Sequence, residues 1–329
     1  MNNHLILGIE TSCDETSVAI VSEERKIYFH EIFTQDHSKY NGVYPEFASR
    51  EHLKILPQIL QRAAKAHDLE KLTAIACTVG PGLVGSLIVG VMMARGLAFL
   101  LKKPVLGINH LEGHLLAARL TKKIDFPFVC LVISGGHSQL INAKKVGDYL
   151  LLGETLDDAF GEAFDKLATM LGFTYPGGKI VEKFASKGDS ERFRLPAAMI
   201  NQPGCNFSLS GIKTALKKII TSLPQITEQD KADICASFQA CVARIVVSKL
   251  EQAVKICGHS RIVLAGGVAS NRYVRKILEE FAKNHDLSLH FPEGILCTDN
   301  AAMIAWAAIE RITAGCAELP LEPQPRLCW

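Results

Sequence analysis

The stretch Leu5-Ile6-Leu7-Gly8-Ile9-Glu10-Thr11-Ser12-Cys13-Asp14-Glu15-Thr16-Ser17-Val18-Ala19-Ile20-Val21 decides how the chain is read. Two short apolar runs, Leu5–Ile9 and Ser17–Val21, flank a polar turn, the pattern of a β-hairpin whose tip carries hydroxyls and carboxylates. The pattern returns at Phe128–Ile133, Ser134-Gly135-Gly136-His137-Ser138 and Gln139–Ala143. The two stretches share a pattern and no sequence identity. Two hairpins with small polar tips, each opening its own half, predict two lobes with a nucleotide held between them.

Working outward, the periodicity predicts a helix over Phe47–His67, a strand over Ala74–Val79, a glycine turn, an apolar helix, a strand over Val105–Asn109 and a helix from His110. In the second half a strand, Arg261–Ala265, runs into Gly266-Gly267-Val268-Ala269-Ser270-Asn271 and a helix, Arg272–His285. An apolar helix, Ala301–Ile309, follows Cys297-Thr298-Asp299-Asn300, and Pro320–Pro325 reads as an extended tail. Alternating strands and helices place the fold in the α/β class.

At 329 residues the chain exceeds one ordinary core. The expected division is a first lobe over 1–107, a second over 108–299 carrying the metal and nucleotide motifs, a helix near 300–316 packing back on the first, and a tail over 317–329. Hydrophobic residues at 48% and charged residues at 21% exclude a disordered chain. A net charge of +2 leaves nucleic-acid affinity to a local patch or a partner subunit. The ten cysteines contain no Cys-x-x-Cys pair, so buried reduced thiols fit better than a zinc ribbon or disulfide framework. Met1–His4 is too short for a targeting peptide. Leu83–Leu101 imitates a membrane span, but Arg95 would cost a few kcal/mol in lipid, and a buried core helix is the expectation.

Gly80-Pro81-Gly82-Leu83-Val84-Gly85 matches G-x-G-x-x-G between a strand and a helix. A dinucleotide site needs an acid after the next strand, yet no Asp or Glu occurs between Gly80 and Glu112. What remains is a helix N-terminus able to hold an anion, or a tight turn. His110-Leu111-Glu112-Gly113-His114 sets two imidazoles at i and i+4, the spacing for a shared metal. A zinc peptidase carries its base directly after the first His, where this chain has Leu111, and Glu112 projects to the far side of the helix. Cys297–Asn300 supplies a carboxylate ligand or a helix cap. Gly266–Asn271 suits a flat ligand near backbone, or a turn capped by Ser270. Asp158, Glu162 and Asp165 form an acidic row, and Asn206–Thr214 is a polar, basic segment that either covers a phosphate or starts a helix.

Taken in order, Gly8–Thr16, Pro45–Arg50, Gly80–Leu83, His110–His114, Ser134–His137, Gly161–Lys166, Tyr175–Gly178, Phe207–Gly211, Ala265–Val268 and Cys297–Asn300 resemble the successive motifs of the universal tRNA threonylcarbamoyladenosine transferase family, once called O-sialoglycoprotein endopeptidases. The resemblance spans Leu5 to about Trp306. It implies a two-lobed actin-like (ASKHA) fold with mixed sheets and a nucleotide and metal cleft. It implies His110, His114 and Asp299 as ligands of one divalent metal, Fe(2+) favoured and Zn(2+) the alternative. It implies Val132, Ile133, Ser134, Gly135, Gly136, Asp165, Gly178, Glu182 and Asn271 around the nucleotidyl substrate. Archaeal and eukaryotic relatives place a tyrosine ligand at the position of Val132, with Ser134 nearby as an aid here. The implied reaction moves threonylcarbamoyl from threonylcarbamoyl-AMP to the adenosine 3′ of the anticodon in ANN-decoding tRNAs. The implied partners are tRNA, a paralogous actin-like subunit (TsaB), a small ATPase (TsaE) and an upstream threonylcarbamoyl-AMP synthase, in the cytoplasm and away from membranes. An actin-like ATPase or small-molecule kinase is the alternative, although Glu10-Thr11-Ser12 replaces the Asp-x-Gly tip of such kinases. A non-catalytic scaffold subunit is the third reading.

Overall fold

The computed structural model describes residues 4–40 and 42–329. Two compact units emerge: Met1–Ile124 with Val146–Asp148 and Pro292–Trp329, and Asp125–Lys145 with Tyr149–Phe291.

The first unit is built from β1 (Leu5–Glu10), β2 (Glu15–Ser22), β3 (Ile27–Thr34), α1 (Pro45–Ala66), β4 (Ala74–Gly80), α2 (Val84–Leu101), β5 (Val105–Asn109) and α3 (His110–Thr121). The second holds β6 (Phe128–Ile133), β7 (Ser138–Lys145), β8 (Asp148–Glu154), α4 (Phe160–Met170), α5 (Gly177–Ala185), α6 (Ser210–Ser222), α7 (Glu228–Cys257), β9 (Arg261–Ala265), α8 (Arg272–Asn284) and β10 (Ser288–His290). The chain then returns to the first unit with α9 (Ala301–Ala314).

Among the described residues each unit has one five-stranded mixed sheet, ordered β3-β2-β1-β4-β5 and β10-β9-β6-β7-β8. In both, a hairpin of antiparallel strands (β1/β2, β6/β7) joins parallel strands added by crossovers (β4, β9). The pattern repeat in the sequence is thus a repeat of topology. Every residue of β4 and of β6 is buried, as expected of central strands covered on both faces.

Helix α9 sits against β1 and β2 and brings the end of the chain to the hairpin. A side chain at Gly8 would put its Cβ 2.3 Å from the Ala301 carbonyl oxygen, so only glycine lets α9 begin this close to β1. Asn300 caps the helix by accepting from the Met303 N–H. In the second unit the 30-residue α7 opens with a capping box, Thr227 with Asp230, and closes on left-handed Gly258.

Three expectations change. The division foreseen at residue 107 falls after Ile124, because α3 is buried through nearly all its length and packs on α9. Asp299 belongs to the first unit for the same reason. Helix α2 is not a fully buried core helix: Leu87, Val91, Ala94 and Ala98 are buried, while Val84, Ile88, Met92, Phe99 and Leu100 are exposed, Phe99 at 89%. Hydropathy alone does not reveal which face of an all-apolar helix finds a partner. Finally, the segment after α9 is anchored: the Gln324 N–H donates to the Val79 carbonyl (2.6 Å), Asn109 Nδ2 donates to the Cys328 carbonyl (3.3 Å), and Leu319, Leu321 and Leu327 join the core. All ten cysteines are free thiols.

Candidate metal centre and nucleotide-binding turn

Helix α3 starts directly at the end of β5, with Asn109 as its cap accepting from the Leu111 N–H. His110 and His114 therefore lie one turn apart on the same face, ring centroids 4.7 Å apart and nearly perpendicular. Asp299, one residue before the cap of α9, meets them: its Oδ1 is 2.9 Å from His114 Nε2 and 3.6 Å from His110 Nε2. Ligand and cap are thus separate residues, Asp299 and Asn300. The three donor atoms lie within 4.8 Å of one another.

Two imidazoles and one carboxylate suit a divalent first-row cation and leave coordination positions open for substrate or water. The buried Nδ1 of His114 has no hydrogen-bond partner among the described residues, so the ring is held by its packing against His110 and by Asp299. Burial alone would lower the His110 pKa, but the carboxylates of Asp299 and Glu10 prevail and hold it at about 9. That imidazolium charge occupies the place a cation's charge would take. Burial, together with Asp299 and Asp14, pushes the neighbouring Glu15 carboxyl well above the usual range.

Glu10, Ser12 and Thr78 complete the surroundings of His110, and sequence reasoning assigned them no role. Glu10 is fully buried and lies 3.2 Å from His110 Nδ1, with Ser12 Oγ at 3.1 Å. The available signal was an acid closing the apolar run Leu5–Ile9, since such a carboxylate must find partners.

Glu112 points away from the imidazoles, buried and paired with Arg311 of α9 at 3.0 Å, as the spacing predicted. It is placed to lock α3 to α9, remote from the work of a peptidase base.

The residues foreseen around a nucleotide all fall in the second unit and form a connected arc. Val132 and Ile133 are buried in β6, so only their backbone is available. Ser134 to His137 closes a tight turn, with the His137 N–H donating to Ser134 Oγ, while Gly135 and Gly136 are exposed. Gly266 backs onto this turn in a left-handed conformation (φ 87°), where a Cβ would stand 2.4 Å from the Ile133 carbonyl oxygen. Onward, the Arg272 N–H donates to Glu182 Oε1 (2.8 Å), Gly178 and Glu182 share a face of α5, and Asp165 accepts from the Gly177 N–H (2.7 Å). Asn271, not Ser270, caps α8, accepting from the Val274 N–H and donating to Gln239.

Other sequence candidates resolve into structure. At the Gly80–Gly85 turn the Gly82 N–H donates to the Pro325 carbonyl and the Leu83 N–H to the Ser12 carbonyl, so the chain itself uses donors an anion would need. The segment Asn206–Thr214 starts α6, with Asp157 accepting from Ser208 Oγ and the Leu209 N–H. In the acidic row, Asp158 and Glu162 are both paired with Lys166.

Two hairpin-led α/β units and a histidine–histidine–aspartate donor set define a metal-binding protein of the actin-like class. Its fold is similar to HypF of T. kodakarensis (TM-score 0.65, 14% identity, over 96% of this chain and 48% of that one). It is also similar to component A of the Acidaminococcus fermentans (R)-2-hydroxyglutaryl-CoA dehydratase (TM-score 0.55, 16% identity, 93% and 99%). Residues 26–306 match the family model of tRNA N6-adenosine threonylcarbamoyltransferases, and the chain belongs to that family. The transferase of Neorickettsia sennetsu is 89% identical over the whole of both chains, and that of Wolbachia pipientis wMel 48% identical over 98% of each.

Proposed function

We infer that this chain is a metal-dependent transferase that moves threonylcarbamoyl from threonylcarbamoyl-AMP to the exocyclic amine of the adenosine 3′ of the anticodon in ANN-decoding tRNAs. The observation that carries this reading is the intact His110–His114–Asp299 donor set inside a chain of this family. The N6 amine attacks the carbamoyl carbonyl, the bond from that carbon to the phosphate oxygen breaks, and AMP leaves while the amine loses a proton. A bound divalent ion would supply Lewis-acid stabilisation of substrate oxygens. Fe(2+) is favoured and Zn(2+) is the alternative, since two imidazoles and a carboxylate accommodate both.

Around the adenylate, the exposed Gly135–Gly136 backbone and the Gly178 face of α5 would let a flat nucleotide approach, with Ile133 and Ser134 shaping the turn. Asp165 and Glu182 would hold hydroxyls with the carboxylate lone pairs left after their backbone bonds, and Asn271 would fix the start of α8.

A near-neutral chain has little electrostatic reach for a polyanion. The reading therefore includes cytoplasmic partners: a paralogous actin-like subunit, a small ATPase and an upstream synthase. The uncovered stripe Val84–Ile88–Met92–Phe99 on α2 supports a docked subunit. The test is nucleoside mass spectrometry on tRNA incubated with the adenylate, this chain and the partners. Modified adenosine formed only with this chain present is expected; steady ADP release with a polyol acceptor and no tRNA would instead mark a kinase.

A further inference from the structure

Glu10 ends β1 at the hairpin tip, with no solvent exposure. Such a carboxylate persists only if its lone pairs are satisfied. Here Oε1 accepts from the Ser12 N–H at 2.6 Å, and Oε2 accepts from the Thr78 hydroxyl on β4 and faces His110 Nδ1 at 3.2 Å. The carboxylate is therefore fixed from two strands before it meets the imidazole.

That geometry selects one form of the neutral His110 ring. With Nδ1 turned to an ionised oxygen, a lone pair there would face a negative charge, so Nδ1 carries the proton and donates it. When a cation takes the place of the other ring proton, the lone pair it meets is that of Nε2, the nitrogen on the Asp299 side. His114 has no such support, since its Nδ1 lacks a hydrogen-bond partner among the described residues. A charge argument points the same way. Asp299 alone would leave a divalent ion half neutralised in a buried site, whereas Asp299 and Glu10 together supply two negative charges.

We propose that Glu10 is the positioning residue of the metal centre: held by Ser12 and Thr78, it fixes the tautomer and ring orientation of His110 and supplies the second negative charge. The proposal rests on His110, His114 and Asp299 being the metal ligands. Glu10 itself touches neither metal nor substrate.

The test uses the full chain and Zn(2+) alone as probe. Zinc affinity is measured by chelator competition for wild type, Glu10→Gln and Thr78→Val, with folding checked by circular dichroism. The expected loss is about 10- to 100-fold for Glu10→Gln and a smaller one for Thr78→Val. In the zinc-loaded protein, the His110 Nδ1 proton resonance, shifted downfield by the carboxylate, should move upfield in Glu10→Gln, a change that loosened packing alone would not produce. Wild-type zinc affinity and an unmoved resonance in folded Glu10→Gln overturn the proposal. If Glu10→Gln does not fold, Thr78→Val decides, and unchanged affinity there overturns it equally. A wild-type chain whose zinc affinity is insensitive to His110→Ala would instead refute the ligand assignment beneath it.

Discussion

His114 Nε2 and Asp299 Oδ1 lie 2.9 Å apart although 185 residues separate them in the chain. The helices that carry them, α3 and α9, pack together and are tied by the Glu112–Arg311 pair, so the donor set is assembled by the fold of one unit.

Metal dependence is the first consequence. Adding Zn(2+) or Fe(2+) at about a hundredfold excess over its Kd should raise unfolding stability by about 2.7 kcal/mol, read as a Tm shift in scanning fluorimetry. His110→Ala and His114→Ala should abolish the shift while the metal-free proteins stay within about 2 kcal/mol of wild type. A full shift in the double variant would refute the site.

Glu112 and Asp299 should separate cleanly. Glu112→Gln weakens the Arg311 pair and should cost about 1–3 kcal/mol of stability while metal content and most of the transfer activity survive. Asp299→Asn leaves the Asn300 cap in place, so folding should persist while metal and transfer are lost. Metal analysis beside the nucleoside assay distinguishes the two.

At Gly178 a methyl group meets open space, with nothing within 4 Å of its Cβ and no left-handed φ. Gly178→Ala should therefore stabilise α5, by up to about 1 kcal/mol, yet weaken AMP binding if the nucleotide lies against that backbone. Asn271→Ala is a poorer probe, because losing the cap of α8 costs about 1 kcal/mol whatever binds there. Calorimetry with AMP decides, and undiminished affinity in Gly178→Ala would move the nucleotide elsewhere.

Acid should destabilise the protein through histidines that the fold holds as neutral rings, His30 partly and His52 fully buried. Burial lowers His30 from 6.5 to about 4 and also lowers His52, which is bonded to Thr16 and the Cys13 carbonyl. The unfolded chain takes up protons near pH 6.5 and the folded one does not, so stability is complete above that pH and falls as pH drops towards 4. His30→Leu should flatten the Tm-against-pH curve over this window.

How legible all this was depended on how locally each feature is encoded. Strands β6 and β9 announced themselves because their buried stretches read as short apolar runs. The histidine pair was visible because helical spacing is local, and Asp299 joined it through the family resemblance. Glu10 was missed because its partner His110 is remote in sequence. The boundary at Ile124 and the bare face of α2 depend on which helix covers which, a property of tertiary packing that hydropathy does not carry.

The anchoring of the last residues has a practical side. Cys328 reaches Asn109, the cap of the helix that begins with His110, and Pro325 receives the Gly82 N–H. Displacing this segment would free the Asn109 amide and loosen the cap beside the first histidine of the centre. Weakened metal affinity in a variant of residues 320–328 is therefore to be read as an effect on that cap before the ligands themselves are blamed.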